Sequence, residues 1–311
     1  MKQWWLQPMV RIGVALALPL AVPLIITYLI WALPGDPASI ICPPELCGGT
    51  EELAKRWNLD GGPYQFYTAW MANAVTGEFG NSWRVLQGVP IAGLLGTALP
   101  NTVMLILLSL VPLVVFSAAS SAGWLSPRLD PLFQTIGLVP AVVYGLVAAA
   151  VIQLTFGADA FTEDALRIRL LLGALVLGVA DGALAGAVTG TRSLFDAERK
   201  QRYVGVAILR GETELSNTLP NLASALAGQL RARTLHLLSG AVIIEAVLQI
   251  DGLGDFLWRG TLKQDFGLVL ATATGFAVVS AALLAFQGLL EIFVALHVRR
   301  SPAQVSIEEA A

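Results

Sequence analysis

The chain has 311 residues, of which 56% are hydrophobic and 13% charged, with a formal net charge of −3. A soluble domain of this length carries roughly a quarter charged residues, so most of this chain is expected in lipid. The small, dispersed net charge argues against a polyanion such as nucleic acid as a partner, and two cysteines and two histidines offer little for a metal site.

In chain order, about six apolar runs reach the ~20 residues that span a bilayer. They fall near 10–33, 96–121, 132–156, 169–191, 222–249 and 269–297. Backbone groups in lipid must bond within their own segment, so the runs are expected to be helices and the fold class all-α and polytopic. The first run follows Lys2 and Arg11 as a signal peptide would. It extends well past the ~7–15 residues of a cleavable apolar region, so it reads as an uncleaved anchor. Pro19, Pro23 and Pro140 are expected to kink their helices.

A long loop, 34–95, follows the first run. Its stretches EELAKRWNLD and PYQFYTAWMANAV read as short amphipathic helices with aromatic faces. They fit either packing on the membrane surface or a docking surface for a partner. Cys42 and Cys47 stand in CPPELC at the start of this loop. An oxidising compartment would permit a disulfide between them; unpaired structural thiols are the other reading, and a metal pair is disfavoured because no histidine is near.

In the fourth run Gly178, Gly182, Gly186 and Gly190 recur every fourth residue. On one helix they would form a glycine stripe that admits a close neighbour. Asp181 lies beside the stripe, and Glu245 and Glu291 lie in the fifth and sixth runs. Acids in a membrane should face a cavity or a partner, or else bond a neighbouring helix. His236 and Ser239 offer no nucleophile context, and no Gly-Lys pair exists anywhere, so this chain lacks a P-loop and is not expected to be an enzyme.

Between the fourth and fifth runs the chain reads YVGVAILRGETELSNTLPN, residues 203–221. Gly211 can end a short helix, ETELSNT can form a turn along the membrane surface, and Leu219-Pro220 is expected to reset the chain before the next span. The segment reads equally as a solvated loop or as a short helix needing a packed partner. The basic residues of 192–233 share one side with Lys2, Arg11, Arg299 and Arg300 if there are six spans. The positive-inside rule makes that side cytoplasmic, termini included, and puts the acid-rich loop 34–95 outside. Arg231 and Arg233 interrupt the start of the fifth run, where their long stems could let them snorkel to the interface. The end, 301–311, reads as a disordered tail after a membrane domain over 1–300.

YVGVAILRG…LPN resembles the cytoplasmic EAA loop of ABC importer permeases. Four further pieces are similar, in order, to the dipeptide, oligopeptide and nickel permease family: IWALPGDPAS at 30–39, WNLDGGPYQFYTAWMANAVTGEFGNSW at 57–83, GVPIAGLLGTALPNTVML at 88–105, and GAVIIEAVLQIDGLGDFL at 240–257. The loop departs from the family pattern. Gly211 to Leu219-Pro220 is about four residues shorter than usual, roughly one helical turn; AILR drops a basic position before the glycine, and Thr218 stands where a histidine is common.

The resemblance implies a type I importer fold in the bacterial inner membrane. It implies a second homologous permease chain, two P-loop ATPase subunits that carry ATP and Mg, and an extracytoplasmic substrate-binding protein. This chain itself would bind no cofactor. Tyr203, Ala207, Arg210, Gly211, Glu212, Glu214, Leu219 and Pro220 in the coupling loop 192–221 would meet the ATPase. Glu245, Asp251 and Gly254 would lie near the outer gate, and Asp181 on the cavity wall. Peptides or a similar small solute would be the cargo. The rival readings are a secondary transporter or channel, and a scaffold subunit that keeps the permease fold.

Overall fold

The computed structural model describes residues 6–47 and 51–300. Lys2 and the segment 301–311 lie outside the described residues, as does the side chain of Cys47. Helix α1 (Leu6–Ala32) leads into the long loop, which holds α2 (Pro37–Ile41), α3 (Pro44–Cys47), α4 (Glu51–Trp57), α5 (Pro63–Val75) and a two-residue hairpin of β1 (Asn81–Ser82) with β2 (Val89–Pro90). Then come α6 (Ile91–Ser121), α7 (Asp130–Gly137), α8 (Ala141–Phe156), α9 (Leu166–Val179), α10 (Ala183–Arg199), α11 (Arg202–Leu209), α12 (Glu214–Leu248), α13 (Leu253–Leu262) and α14 (Phe266–Arg300).

This is an all-α polytopic architecture. Four segments are long and apolar enough to cross a membrane unbroken: Pro8–Ala32, Ile91–Ser121, Ala141–Phe161 and Phe266–Val294. Two bent pairs are long and apolar enough only when their helices are taken together, α9 with α10 at 53° and α12 with α13 at 72°. The count of about six therefore holds only when each bent pair is one span.

Two expectations are corrected here. The run 132–156 is not one kinked helix. Pro140 is the N-cap of α8, with extended backbone at φ −61° and ψ 145°. A residue before proline avoids the helical region, so α7 stops at Gly137 and a new helix starts. The four glycines do not form one stripe either. Gly182 sits outside both helices with φ +71°, at the break between α9 and α10. Gly178 instead faces Ser109 and Pro112 of α6, and Gly186 faces Arg233 of α12. A methyl group built on Gly137 would meet the Gly182 Cα at 2.8 Å, so α7 touches the break itself.

The apolar interior has two parts. The larger gathers α6, α8, α9, α10 and α12 around Leu105, Ile152, Leu237, Ile244 and Leu248. The other unites the long loop with the α13–α14 corner through Trp57, Phe66, Trp70, Leu253, Phe256 and Leu268. The two stretches expected as amphipathic helices are α4 and α5, and their aromatic faces enter this second core. Asp265 locks the loop down. Its enclosed carboxylate accepts from Ser82 Oγ at 2.6 Å and from the backbone N–H groups of Trp83, Arg84 and Val85 at 3.0, 3.0 and 3.1 Å. Cys42, also in this loop, is buried and disulfide-bonded.

Helices α1 and α14 run together in opposite directions, and Arg11 of α1 pairs with Glu291 of α14. Glu291 also accepts from Ser224 Oγ at 3.1 Å and Gln287 Nε2 at 3.0 Å. It therefore bonds neighbouring helices rather than facing open space. These contacts put the start of α1, the start of α12 and the end of α14 at one end of the bundle, called basal below. The long loop forms the other end.

Candidate functional site

At the basal end the segment 192–221 is a built structure. Helix α10 ends at Arg199, whose guanidinium pairs with Glu214 in the first turn of α12 and donates to the Ser121 carbonyl at 2.7 Å. Helix α11 is then pinned at its start. The Tyr203 hydroxyl donates to Glu198 and accepts from Asn221 Nδ2 at 2.7 Å. Partial burial, then the Glu198 carboxylate, push the Tyr203 phenol above its ordinary range. The end of α11 is closed by Gly211, at φ +81°, with its N–H on the Ile208 carbonyl at 2.9 Å and the Glu212 N–H on the Ala207 carbonyl at 3.0 Å. Only glycine enters that left-handed conformation without strain.

The result is an eight-residue helix with two faces. Val204 and Ala207 are buried beneath it, while Tyr203, Val206, Ile208 and Leu209 are exposed, Leu209 by 89%. Arg210, Gly211 and Glu212 continue that exposed edge. Val206, Ile208 and Leu209 thus form an exposed apolar ridge on a helix held at its start by Tyr203.

Leu219-Pro220 does not reset the chain. Helix α12 begins at Glu214 and runs through Pro220 to Leu248. Proline removes the bond to the Ser216 carbonyl, but Ser216 is exposed, so water can take that acceptor. The stretch ETELSNT is therefore the opening of α12 rather than a separate surface turn. The separate short helix lies upstream, at 202–209. Leu219 and Pro220 stand exposed on the first turns of α12.

At the opposite end the α12–α13 bend is organised by Glu245, which is completely buried. Helix α13 starts at Gly252 with no side-chain cap of its own. Its first N–H groups are taken from elsewhere: Leu253 donates to Thr102 Oγ1 at 2.8 Å, Gly254 to Glu245 Oε2 at 2.7 Å, and Asp255 to the same oxygen at 3.2 Å. Thr102 Oγ1 in turn donates to Glu245 Oε1 at 2.7 Å. A carboxyl oxygen over a helix N-terminus satisfies its orphan donors. Gly254 has to be glycine, since a Cβ there would lie 2.5 Å from the Val242 Cα. Asp251 is exposed and pairs with Arg259, which also holds Asp255 and lies 5.0 Å from the Phe256 ring centre.

Asp181 occupies the other bend. It has φ +50°, is exposed, and its Oδ1 accepts from the Ala141 N–H at 3.2 Å, closing the start of α8. The structure thus brings Glu245, Asp251 and Gly254 together, leaves Asp181 at a separate bend, and puts the 203–221 group at the far end.

Two charged residues escaped the sequence reading. Arg169, buried among apolar neighbours, donates to the carbonyls of Leu248 and Gln249 at the end of α12 and of Thr162. Asp265 holds the long loop. Most of their partners are distant in sequence, so no local pattern marks them. His236 and Ser239 show no chemistry; the Ser239 hydroxyl donates to the His236 carbonyl at 2.8 Å.

Comparison with known proteins gives a consistent set of relatives. Residues 110–300, more than half of the chain, match the family described as binding-protein-dependent transport system inner membrane component. The chain is similar to the oligopeptide transport system permease protein AppB of Bacillus subtilis, with 27% identity over 281 residues, 83% of this chain and 87% of that protein. It is also similar to the glutathione transport system permease protein GsiC of Escherichia coli strain K12, with 27% identity over 268 residues, 80% of this chain and 84% of that protein.

Proposed function

This chain belongs to the family of inner-membrane components of binding-protein-dependent transport systems, and from that premise we propose how it works as a permease subunit of an ATP-driven importer. It pairs with a second, homologous permease chain, and the pathway runs between them. Two P-loop ATPase subunits, which carry the ATP and Mg, sit at the basal end, and that end is cytoplasmic. A substrate-binding protein delivers cargo at the long-loop end. The cargo is a peptide or a similar small solute, in line with the oligopeptide and glutathione named for its relatives. The disulfide of Cys42 closes on Cys47, the sole other cysteine in the sequence, which suits an oxidising outer compartment.

The observation that carries the coupling proposal is α11: a short helix with an exposed apolar ridge at Val206, Ile208 and Leu209, bound at its start to both α10 and α12. A rigid element of this kind can pass a push from the ATPase to the long helix α12. Helix α12 ends in the Glu245-capped bend, so movement at Glu214 reaches the outer gate through one continuous helix. ATP binding then shifts a two-state equilibrium between inward-open and outward-open forms by its differential affinity for them. Asp181, exposed at its bend, faces the pathway.

The test is co-purification of this chain with the products of neighbouring genes in mild detergent. Wild type should bring down a P-loop ATPase. Leu209→Asp, at an 89% exposed position, should release the ATPase while the permease pair stays together. ATPase retention by Leu209→Asp would remove α11 from the interface.

A further inference from the structure

The basal half of the bundle holds an open cleft of ≈ 1180 Å³ between α6, α10, α12 and α14. Its mouth is marked by Trp124, Arg199 and Glu214, and its deep end by Leu110, Ala187 and Arg233. The walls are largely aliphatic. Arg199 and Glu214 neutralise each other at the mouth. Arg233 is different. Its guanidinium lies flat on Gly186, where a Cβ would meet Nη2 at 2.6 Å, and Gln229 lies one turn away against Gly190. Among the described residues Arg233 has no hydrogen-bond or ion-pair partner, and its buried Nε is unsatisfied. The space left by Gly186 of α10 holds it against that helix within the bundle. Arg231 lies roughly 200° around α12 from it and does not line the cleft.

A guanidinium held within a membrane bundle without a counter-ion is destabilising, and such residues mark ligand paths. A guanidinium presents a planar fork that matches a carboxylate. Ligand sites commonly combine apolar walls with a few placed polar groups in roughly 300–1,000 Å³, and this cleft, at ≈ 1180 Å³, is slightly larger. We propose that Arg233 binds the free carboxylate of cargo in the basal half of the pathway, and so makes the permease selective for anionic or C-terminally free peptides. This rests on the importer reading above. The cleft is open rather than enclosed, so its occupant can leave, and partial exposure of the guanidinium keeps binding weak enough for release.

The test uses the complete importer, assembled with its neighbouring gene products in proteoliposomes, and reads ATP-driven uptake per assembled complex. The probes are tri-alanine, its C-terminal amide and glutathione. The chains are wild type, Arg233→Gln and Arg233→Lys. For each probe the variant is divided by wild type, which cancels the preference of the binding protein. Arg233→Gln should lower tri-alanine and glutathione uptake ten-fold or more, change the amide less than two-fold, and Arg233→Lys should recover most of the loss. Where wild type ignores the amide, the contrast of Gln with Lys on tri-alanine decides alone. An equal fall for all probes, no fall for any, or no recovery by Lys overturns the proposal. So does loss of the second permease chain from Arg233→Gln preparations, which would assign the arginine to a subunit contact. Wild type that takes up neither carboxylate probe sinks the peptide reading itself, and is seen before any variant is compared.

Discussion

At the α12–α13 bend the Glu245 carboxylate is wholly enclosed and accepts from one hydroxyl and two backbone N–H groups. At the α9–α10 bend the Asp181 carboxylate is exposed, and its one hydrogen bond to a neighbouring helix is from the Ala141 N–H. Both break an apolar helix pair, and both pair the acid with a nearby glycine. The first acid has its capacity consumed by the fold, which makes the 72° corner a fixed joint. The second has an oxygen to spare, which leaves it free to act on something that passes. A buried polar group with every bond made rigidifies its surroundings; an exposed one with an oxygen unsaturated does not.

The largest expected effect comes from breaking the saturated bend. Glu245→Ala leaves two N–H donors and the Thr102 hydroxyl without their acceptor, in a place water does not reach. It should destabilise the protein by ~3 kcal/mol or more, read as a fall in Tm in detergent; Glu245→Gln, which keeps an acceptor, should lose less. An unchanged Tm for Glu245→Ala would mean that the corner is held by packing alone. Next comes Gly254→Ala. The new methyl group would lie 2.9 Å from Glu245 Oε2 and closer still to the Val242 backbone, for an expected ~1–3 kcal/mol on the same melting curve. Smallest in stability is Asp181→Asn. It keeps the acceptor for Ala141 and tolerates the positive φ, so stability should change by less than ~1 kcal/mol while peptide uptake falls. If uptake survives and Tm drops, the two bends are alike after all, and Asp181 is another joint.

Much of this was legible in the chain. The apolar runs gave the helices, and Glu245 stood out as an acid in an apolar run beside Gly-Leu-Gly, which is where its donors proved to be. The breaks were not legible. Ala180-Asp181-Gly182 holds one polar residue among small ones, so hydropathy runs straight through it, and glycines at a spacing of four read as one helical stripe. Pro140 and Pro220 misled in opposite directions. Pro140 ends continuity because the residue before it leaves the helical region, whereas Pro220 is tolerated because the carbonyl it frees is exposed. Arg169 and Asp265 bind groups about 80 and 180 residues away, a pairing that only the folded chain reveals. In the basal loop, the sequence placed Gly211 correctly as the end of a short helix but read as a surface turn the residues that open α12.

The contact between α1 and α14 has a consequence for how the molecule is made. It is the most extensive helix pairing in the structure, and it joins the first described helix to the last. During synthesis α1 is inserted long before α14 exists, so it waits in lipid with the Arg11 charge uncompensated until Glu291 is delivered. Long-range closure of this kind is slow and comes late. The bundle between them can pack by then, and it is closed when α14 returns along α1.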